Sequence, residues 1–184
     1  MLRRMRRDFW NRSACCHHNI LNGLAFLAIA ALLGGCAPEP PRDFAIYLPS
    51  GDMTVTQMAA AELGTLPLQD IPVLSTADIV YYRWGTHEIK LTGAGFERVM
   101  ALQVRTWGLP FVVCVDRKAV YWGAFWTPYS SQSFEGVTIM LPLGAQDSTI
   151  QIELGYPGSD FFHGQDPRFD AEVRKALEQA GKLK

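Results

Sequence analysis

The stretch VYWGAFWTPYSSQSF, residues 120–134, holds the densest group of side chains that could bind a ligand. Six aromatic rings lie within it, beside several hydroxyl groups and one amide. Sugars and extended peptides have apolar faces and polar edges, so aromatic faces next to hydroxyl groups suit them. The candidate ligand contacts are Trp122, Trp126, Tyr129, Ser130, Ser131 and Gln132.

A second interpretation of this stretch stays open. Alternate members of residues 121–126 would then belong to the hydrophobic core, and residues 127–133 would form a turn-rich connection. A small domain without disulfides needs large core side chains, which favours this interpretation. Pro128 breaks the strand between Trp126 and Tyr129, so we expect these two rings to be the most exposed of the group. Trp84 and Trp107 are further candidates for the same surface.

The other reactive side chains do not form a catalytic or metal-binding motif. Cys114 lies in the apolar run FVVCVD without a neighbouring histidine, whereas a nucleophilic cysteine needs a lowered pKa. His87 and His163 lack the spacing of zinc ligands. The serine pair 130–131 lacks the G-x-S-x-G motif of serine hydrolases, and no glycine-rich phosphate loop occurs. We therefore expect a non-enzymatic protein without metal or cofactor.

The segment DFFHGQDPRFD, residues 160–170, places three acids and a histidine close together and invites a metal-binding interpretation. Asp166, however, precedes Pro167 and is typical of a helix N-cap. Asp170 would favour the positive end of the same helix. We expect structural roles for both carboxylates.

The N-terminal residues are typical of a secretory signal peptide. Five arginines precede residue 13, against the single acid Asp8, and an apolar segment follows over residues 20–33. That segment is shorter than the ~20 apolar residues that a membrane-spanning helix needs. A positive start, a short apolar core and small residues before a cleavage point predict a signal peptide over residues 1–35.

The end of this leader, Leu33-Gly34-Gly35-Cys36, resembles the bacterial lipobox. The resemblance implies cleavage before Cys36 and attachment of diacyl lipid to its sulfur, which would hold the protein on the extracytoplasmic side of a membrane. Residues 36–43, rich in proline, would form an extended tether. Because Ala37 rather than aspartate follows the cysteine, the resemblance implies the outer membrane where the cell has one.

A weaker resemblance allows a different export route. Arg6-Arg7-Asp8-Phe9 resembles the twin-arginine signal, although Met5, Trp10 and Asn11 depart from its usual pattern. That resemblance implies folding before export, as for an enzyme or a metal-binding protein. The sequence leaves both routes open.

The composition of the processed chain excludes some partners. The leader removes five of the 17 basic residues and one of the 18 acidic ones, so that 12 against 17 remain and the net charge is −5. No basic stripe survives, and we expect no binding to nucleic acid. Cys114 alone remains once Cys36 is acylated, so a hydrophobic core rather than a disulfide must stabilise the domain.

Residues 44–184 predict a single α+β domain with a largely antiparallel sheet and about three helices. Strands are expected at residues 44–48, 111–115, 119–125, 137–141 and 149–154, and in a hairpin over residues 80–91. Helices are expected at residues 54–63, after an N-cap at Thr92, and after an N-cap at Asp166. In the last helix, Phe169, Val173 and Leu177 would form the buried face.

The stretch from Val73 to Phe125 resembles the periplasmic head region of the SecD subunit of the protein-export machinery. The shared features are an Asp-Ile pair before a hairpin, an LT-x-x-G helix entry, a proline-led apolar strand and an aspartate-containing turn. The resemblance covers about a third of the processed chain. It implies an α+β fold and assigns no functional residue.

Together these features predict a lipid-anchored, non-enzymatic envelope protein that binds a glycan, a peptide or a protein partner near residues 120–134. One alternative is an enzyme or metal-binding protein exported folded by the twin-arginine route. Another is a structural accessory subunit of an envelope or export complex.

Overall fold

The computed structural model describes residues 42–143 and 147–184. The predicted signal peptide, Cys36 and residues 36–41 of the predicted tether lie outside these ranges. Within the described ranges, no helix is long and apolar enough to cross a membrane.

The described residues form eight strands and three α-helices. The strands are β1 (Phe44–Tyr47), β2 (Leu74–Ser75), β3 (Ile79–Arg83), β4 (Glu88–Leu91), β5 (Leu109–Val115), β6 (Lys118–Trp126), β7 (Phe134–Met140) and β8 (Thr149–Tyr156). The helices are α1 (Val55–Ala59), α2 (Gly93–Met100) and α3 (Ala171–Gln179), and short 3-10 turns occupy Leu63–Thr65, Thr76–Asp78, Ser159–Phe161 and Pro167–Phe169.

All eight strands belong to one sheet with the order β2-β1-β5-β6-β7-β8-β4-β3. Every neighbouring pair is antiparallel except β6 and β7, which are parallel. The predicted α+β class with a largely antiparallel sheet is confirmed. The single parallel pair matters for function, because its connection carries the predicted binding residues.

The sheet is covered along one face and, over β1, β5 and β6, along the other, whereas Val80 on β3 and Gln151 and Glu153 on β8 are exposed. On the first face, α3 lies over β1 and β5 and α2 lies against β2 and β4, and Phe111, Val99 and Leu177 are fully buried there. On the other face, residues 53–68 lie over β1, β5 and β6, where Met58 packs against Val112. Because both faces of β5 are covered, its sequence reads as a continuous apolar run.

Several local predictions are confirmed. The hairpin predicted over residues 80–91 forms as β3 and β4, with Tyr82 opposite Ile89. Thr92 caps α2, because its side-chain oxygen accepts a hydrogen bond from the backbone N–H of Gly95 at 3.2 Å. The helix expected over residues 54–63 is shorter, since α1 ends at Ala59 and Glu62 already has extended backbone.

The last helix begins four residues later than predicted. Asp166 caps only the 3-10 turn Pro167–Phe169, and its carboxylate also binds the Arg168 guanidinium at 2.7 Å. Asp170 has extended backbone and caps α3 by accepting from the N–H groups of Glu172 and Val173. Phe169 therefore lies outside the helical stripe and is 51% exposed, although it was predicted to be on the buried face.

The C-terminal residues cover the outer edge of β3. The N–H of Tyr82 donates to the carbonyl of Lys182 at 2.7 Å, and the N–H of Lys184 donates to the carbonyl of Tyr82 at 2.8 Å. Leu183 forms a parallel bridge with the same strand. This edge is therefore already paired along part of its length.

Candidate functional site

The parallel pair β6 and β7 is joined by a short connection, residues 127–133, which we call the crossover loop. Trp126 at the end of β6 pairs with Met140 at the end of β7, so the chain must return along the sheet before β7 begins. Parallel strands normally need about a dozen residues or more, usually with a helix, to make this return. Here seven residues make it, so the loop runs close to the sheet.

Two hydroxyl groups fix the crossover loop in place. The Ser130 Oγ donates to the carbonyl of Thr106 at 2.5 Å and accepts from the N–H of Gln132 at 3.1 Å. The hydroxyl of Tyr156, on β8, donates to the carbonyl of Ser130 at 3.1 Å. Ser130 is buried as a result. Ser130 was predicted to contact the ligand, but its hydroxyl instead supports the loop.

Trp126 lies in a packed cluster rather than in solvent. Its side chain is only 2% exposed, and its ring stacks on Phe134 at 5.2 Å between centroids and 9° between planes. The expectation that Trp126 is exposed is wrong, because Phe134, Tyr156 and Gly108 pack around its ring. Its indole Nε1 is buried and has no hydrogen-bond partner among the described residues.

Trp122 and Gly108 complete the packing around Trp126. The Trp122 ring is partly buried and lies 5.8 Å from that of Phe134. Gly108 has a positive φ of 85°, and a Cβ added there would lie 2.3 Å from the Trp126 ring. The two tryptophans of the predicted site thus belong to one packed cluster with Phe134.

Beside the loop lies a surface groove of about 330 Å³, formed by two loops that are distant in the sequence. Ser131, Gln132 and Ser133 are exposed along it, and their side chains make no hydrogen bond within the described part of the chain. The opposite wall comes from the segment after β8, where the ring of Phe161 is 42% exposed. The lining residues are Ser130, Ser131, Gln132, Ser133, Tyr156, Pro157 and Phe161.

Two more aromatic rings reach solvent near this loop. Tyr129 is 78% exposed and Trp107 is 44% exposed. The hydrogen bond from Ser130 to Thr106 brings their two segments together. The Arg105 guanidinium lies 5.5 Å from the Trp107 ring centroid and forms an ion pair with Asp52 at 3.0 Å. The expected exposure of Tyr129 is thus observed.

Cys114 is not placed for chemistry. It is fully buried in β5, and burial raises the pKa of its thiol to about 11. A thiol with a raised pKa is protonated at neutral pH and is a poor nucleophile.

The acids and the histidine of residues 160–170 do not converge on a metal site. Asp160 and His163 are exposed, whereas Asp166 binds Arg168. The hydrogen bond from the Arg168 side chain holds the pKa of Asp166 below its usual range, against the opposing effect of burial. In residues 42–143 and 147–184, no three His, Cys, Asp or Glu side chains come close enough to hold a metal ion.

A buried polar cluster that the sequence did not predict surrounds His87. Its Nδ1 lies 2.8 Å from the hydroxyl of Tyr82, and its ring contacts Phe169 at 4.5 Å between centroids. Burial lowers the pKa of His87 to about 4, and the nearby Arg168 lowers it further, while Asp166 opposes this shift. A neutral imidazole under an aromatic cover is suited to packing between the β3–β4 hairpin and the Pro167–Phe169 turn.

Comparison with known protein families, with curated proteins and with solved structures gives no match for this chain.

The sequence identified one wall of the groove and missed the other. Ser131 and Gln132 were predicted ligand contacts, and both line it. Tyr156 and Phe161 were not predicted. A local signal exists, since two aromatic residues follow a Tyr-Pro-Gly turn at 156–158. Nothing local, however, indicates that this segment lies against the crossover loop.

Proposed function

We propose that this chain is a lipid-anchored extracytoplasmic protein of non-enzymatic type. It binds an extracytoplasmic ligand or protein partner through the crossover loop and the adjoining groove. The anchor is the acylated Cys36, for which the motif Leu33-Gly34-Gly35-Cys36 is the support. Two acyl chains anchor a protein durably, whereas one gives only marginal binding to a membrane.

One observation carries the binding function. Ser131, Gln132 and Ser133 present unpaired polar side chains at a groove whose backbone is already held by the hydroxyls of Ser130 and Tyr156. A surface held in place before binding loses little conformational freedom when a ligand arrives. The residues that hold the loop backbone are thus different from the residues whose polar side chains are free to contact a ligand, as is typical of a binding site.

The chain enters the domain far from the end at which the loop is held. Asp43 pairs through its backbone with Asp116, in the turn between β5 and β6. Ser130 is held by Thr106, three residues before β5 begins. The seven residues of β5 separate these two points by about 20 Å at ~3.3 Å per residue. A tether at residue 43 therefore leaves the Thr106 end accessible.

Site-specific photocrosslinking in intact cells tests this function. A photoreactive residue at position 129 should capture an envelope component, because Tyr129 is exposed beside the groove. The matched control places the same group at Ile71, which is 76% exposed and lies outside the crossover loop and groove. We expect an adduct at position 129 only, and we expect Ser131→Ala, Gln132→Ala and Ser133→Ala together to abolish it.

Equal adducts at positions 129 and 71 would contradict the proposal. An adduct at position 129 that survives the triple substitution would contradict the role of the groove. The folded state of each variant is checked by its denaturant midpoint, because all three substituted side chains are exposed.

A further inference from the structure

We infer that the ligand of the groove is a neutral saccharide, a short segment of a glycan whose ring stacks on Phe161. This inference rests on the proposed function and names the ligand class for the same groove. It follows from the charge of the lining residues, from their position outside the strands and from the chemistry of the exposed side chains.

The groove has no charged side chain among its described lining residues. Three other surface grooves of the domain differ in this respect. One is lined by Glu153 and Arg168, and another by Arg174 and Lys184. The third is lined by five charged residues, among them Asp116. A charged ligand gives up hydration on binding and needs an opposite charge in return. The serine-lined groove therefore selects a neutral ligand.

The groove itself presents no strand edge to an extended peptide. Of its lining residues only Tyr156 belongs to a strand, and that residue is paired with Phe134 of β7. Strand addition requires a free row of backbone N–H and C=O groups at a sheet edge. Because the other lining residues lie outside the strands, recognition at the groove depends on side chains.

The exposed side chains match the surface of a sugar ring. Ser131 and Ser133 each provide a hydroxyl that both donates and accepts, and Gln132 provides two donors and an acceptor. The hydroxyl groups of a sugar need partners of both kinds. The exposed ring of Phe161 provides an apolar face on the opposite wall, against which the C–H face of a sugar packs. The volume of about 330 Å³ is at the small end of the ~300–1,000 Å³ typical of ligand sites, so we expect a short segment to bind.

Calorimetric titration of the full chain in detergent tests this inference. The probes are two neutral tetrasaccharides, chitotetraose and cellotetraose, and the anionic tetragalacturonate. We expect saturable binding of at least one neutral probe and none of the anionic one. Ser131→Ala, Gln132→Ala and Ser133→Ala together should weaken the neutral binding at least tenfold, and Phe161→Ala alone should weaken it at least fivefold. The control is Thr56→Ala with Gln69→Ala, two exposed polar positions outside the groove, which should leave the affinity unchanged.

Each of the other outcomes contradicts one part of the inference or of the proposed function. Neutral binding that the groove substitutions do not weaken removes the groove as its site. Binding of tetragalacturonate as strong as that of the neutral probes removes the selection by charge. If no saccharide binds while the crosslink at position 129 still depends on residues 131–133, the saccharide assignment is wrong and the proposed binding function stands. If the crosslink fails as well, both are wrong.

Discussion

Adjacent serines in the crossover loop have different roles, and this difference decides how each responds to substitution. The Ser130 hydroxyl is buried and bridges Thr106 and Gln132, whereas Ser131 is exposed without a side-chain partner among the described residues. The sequence gives only the residue type, so it predicts the same role for both serines. Their environments separate a residue that holds the loop from one that is proposed to contact the ligand.

Ser130→Ala should lower the free energy of unfolding by about 1 kcal/mol, because it removes the hydrogen bonds that the buried Ser130 hydroxyl makes with Thr106 and Gln132. Ser131→Ala is the matched control and should stay within about 0.5 kcal/mol of the unsubstituted protein. Urea unfolding followed by tryptophan fluorescence measures both. Equal effects of the two substitutions would show that the Thr106 contact does not hold the loop.

The lowered pKa of His87 predicts that the stability of the domain depends on pH in the acidic range. Burial lowers its pKa in the folded state to about 4, below the ordinary 6.5, so the unfolded chain binds the proton more readily between these values. Stability should therefore fall as the pH is lowered from about 6.5 towards 4, by up to about 3 kcal/mol. Arg168 and Asp166 lie nearby, and Asp166 remains ionised across this window because its own pKa is lowered.

The measurement is the denaturant midpoint as a function of pH. In His87→Asn this part of the pH dependence should disappear, since asparagine does not titrate and tolerates the left-handed backbone at φ 55°. His163→Asn, at an exposed position, should keep it. A pH profile of His87→Asn that matches the unsubstituted protein would exclude His87 as the cause.

At the scale of elements, the short connection between two parallel strands organises the whole site. It exposes Tyr129 and carries residues 131–133 to the segment that follows β8. Gly108 allows the Trp126 ring to lie against the chain before β5, at a positive φ that other residues rarely adopt. The groove proposed as the binding surface is thus a consequence of strand direction.

Trp126→Ala should destabilise the domain by about 3–5 kcal/mol, because it removes a large ring that is stacked on Phe134 and almost fully buried. Tyr129→Ala should change stability by less than about 0.5 kcal/mol, because that ring is 78% exposed. Urea unfolding compares the two variants. Similar stabilities would mean that the Trp126 ring is not packed on Phe134 in solution.

At the scale of the whole molecule, the proposed tether and the proposed binding surface belong to opposite ends of β5. Residue 43 joins the turn between β5 and β6, and the loop is held by Thr106 at the opposite end of β5. The net charge of −5 predicted for the processed chain also disfavours close attraction to an anionic membrane surface.

The anchor is tested by intact-mass measurement of the protein from the membrane fraction. We expect a chain that begins at Cys36 and carries added fatty acyl mass. Cys36→Ser should lose the acyl mass and leave the membrane fraction, whereas Cys114→Ser should keep both because that thiol is buried in β5. A full-length chain without lipid, recovered from the soluble fraction, would contradict the proposed anchor.

The sequence by itself determined the features that depend on neighbouring residues. The apolar run at residues 111–115 specified a strand buried on both faces, and Thr92 specified the start of α2. The alternation around Gly85 specified the β3–β4 hairpin. Strand and helix periodicity and caps are local properties, so they can be derived from short stretches, and together they determined the α+β class.

Only the tertiary structure decided which stretches meet. That β6 and β7 run parallel, that Trp126 packs against Gly108 and Tyr156, and that Phe161 lines the same groove as Ser131 depend on residues distant along the chain. The same holds for the turn before α3, where Arg168 binds Asp166 and also donates to the carbonyl of Ile152 at 2.8 Å. Residue type states how strongly a side chain favours burial. Which neighbour buries it depends on long-range packing, which no local pattern encodes.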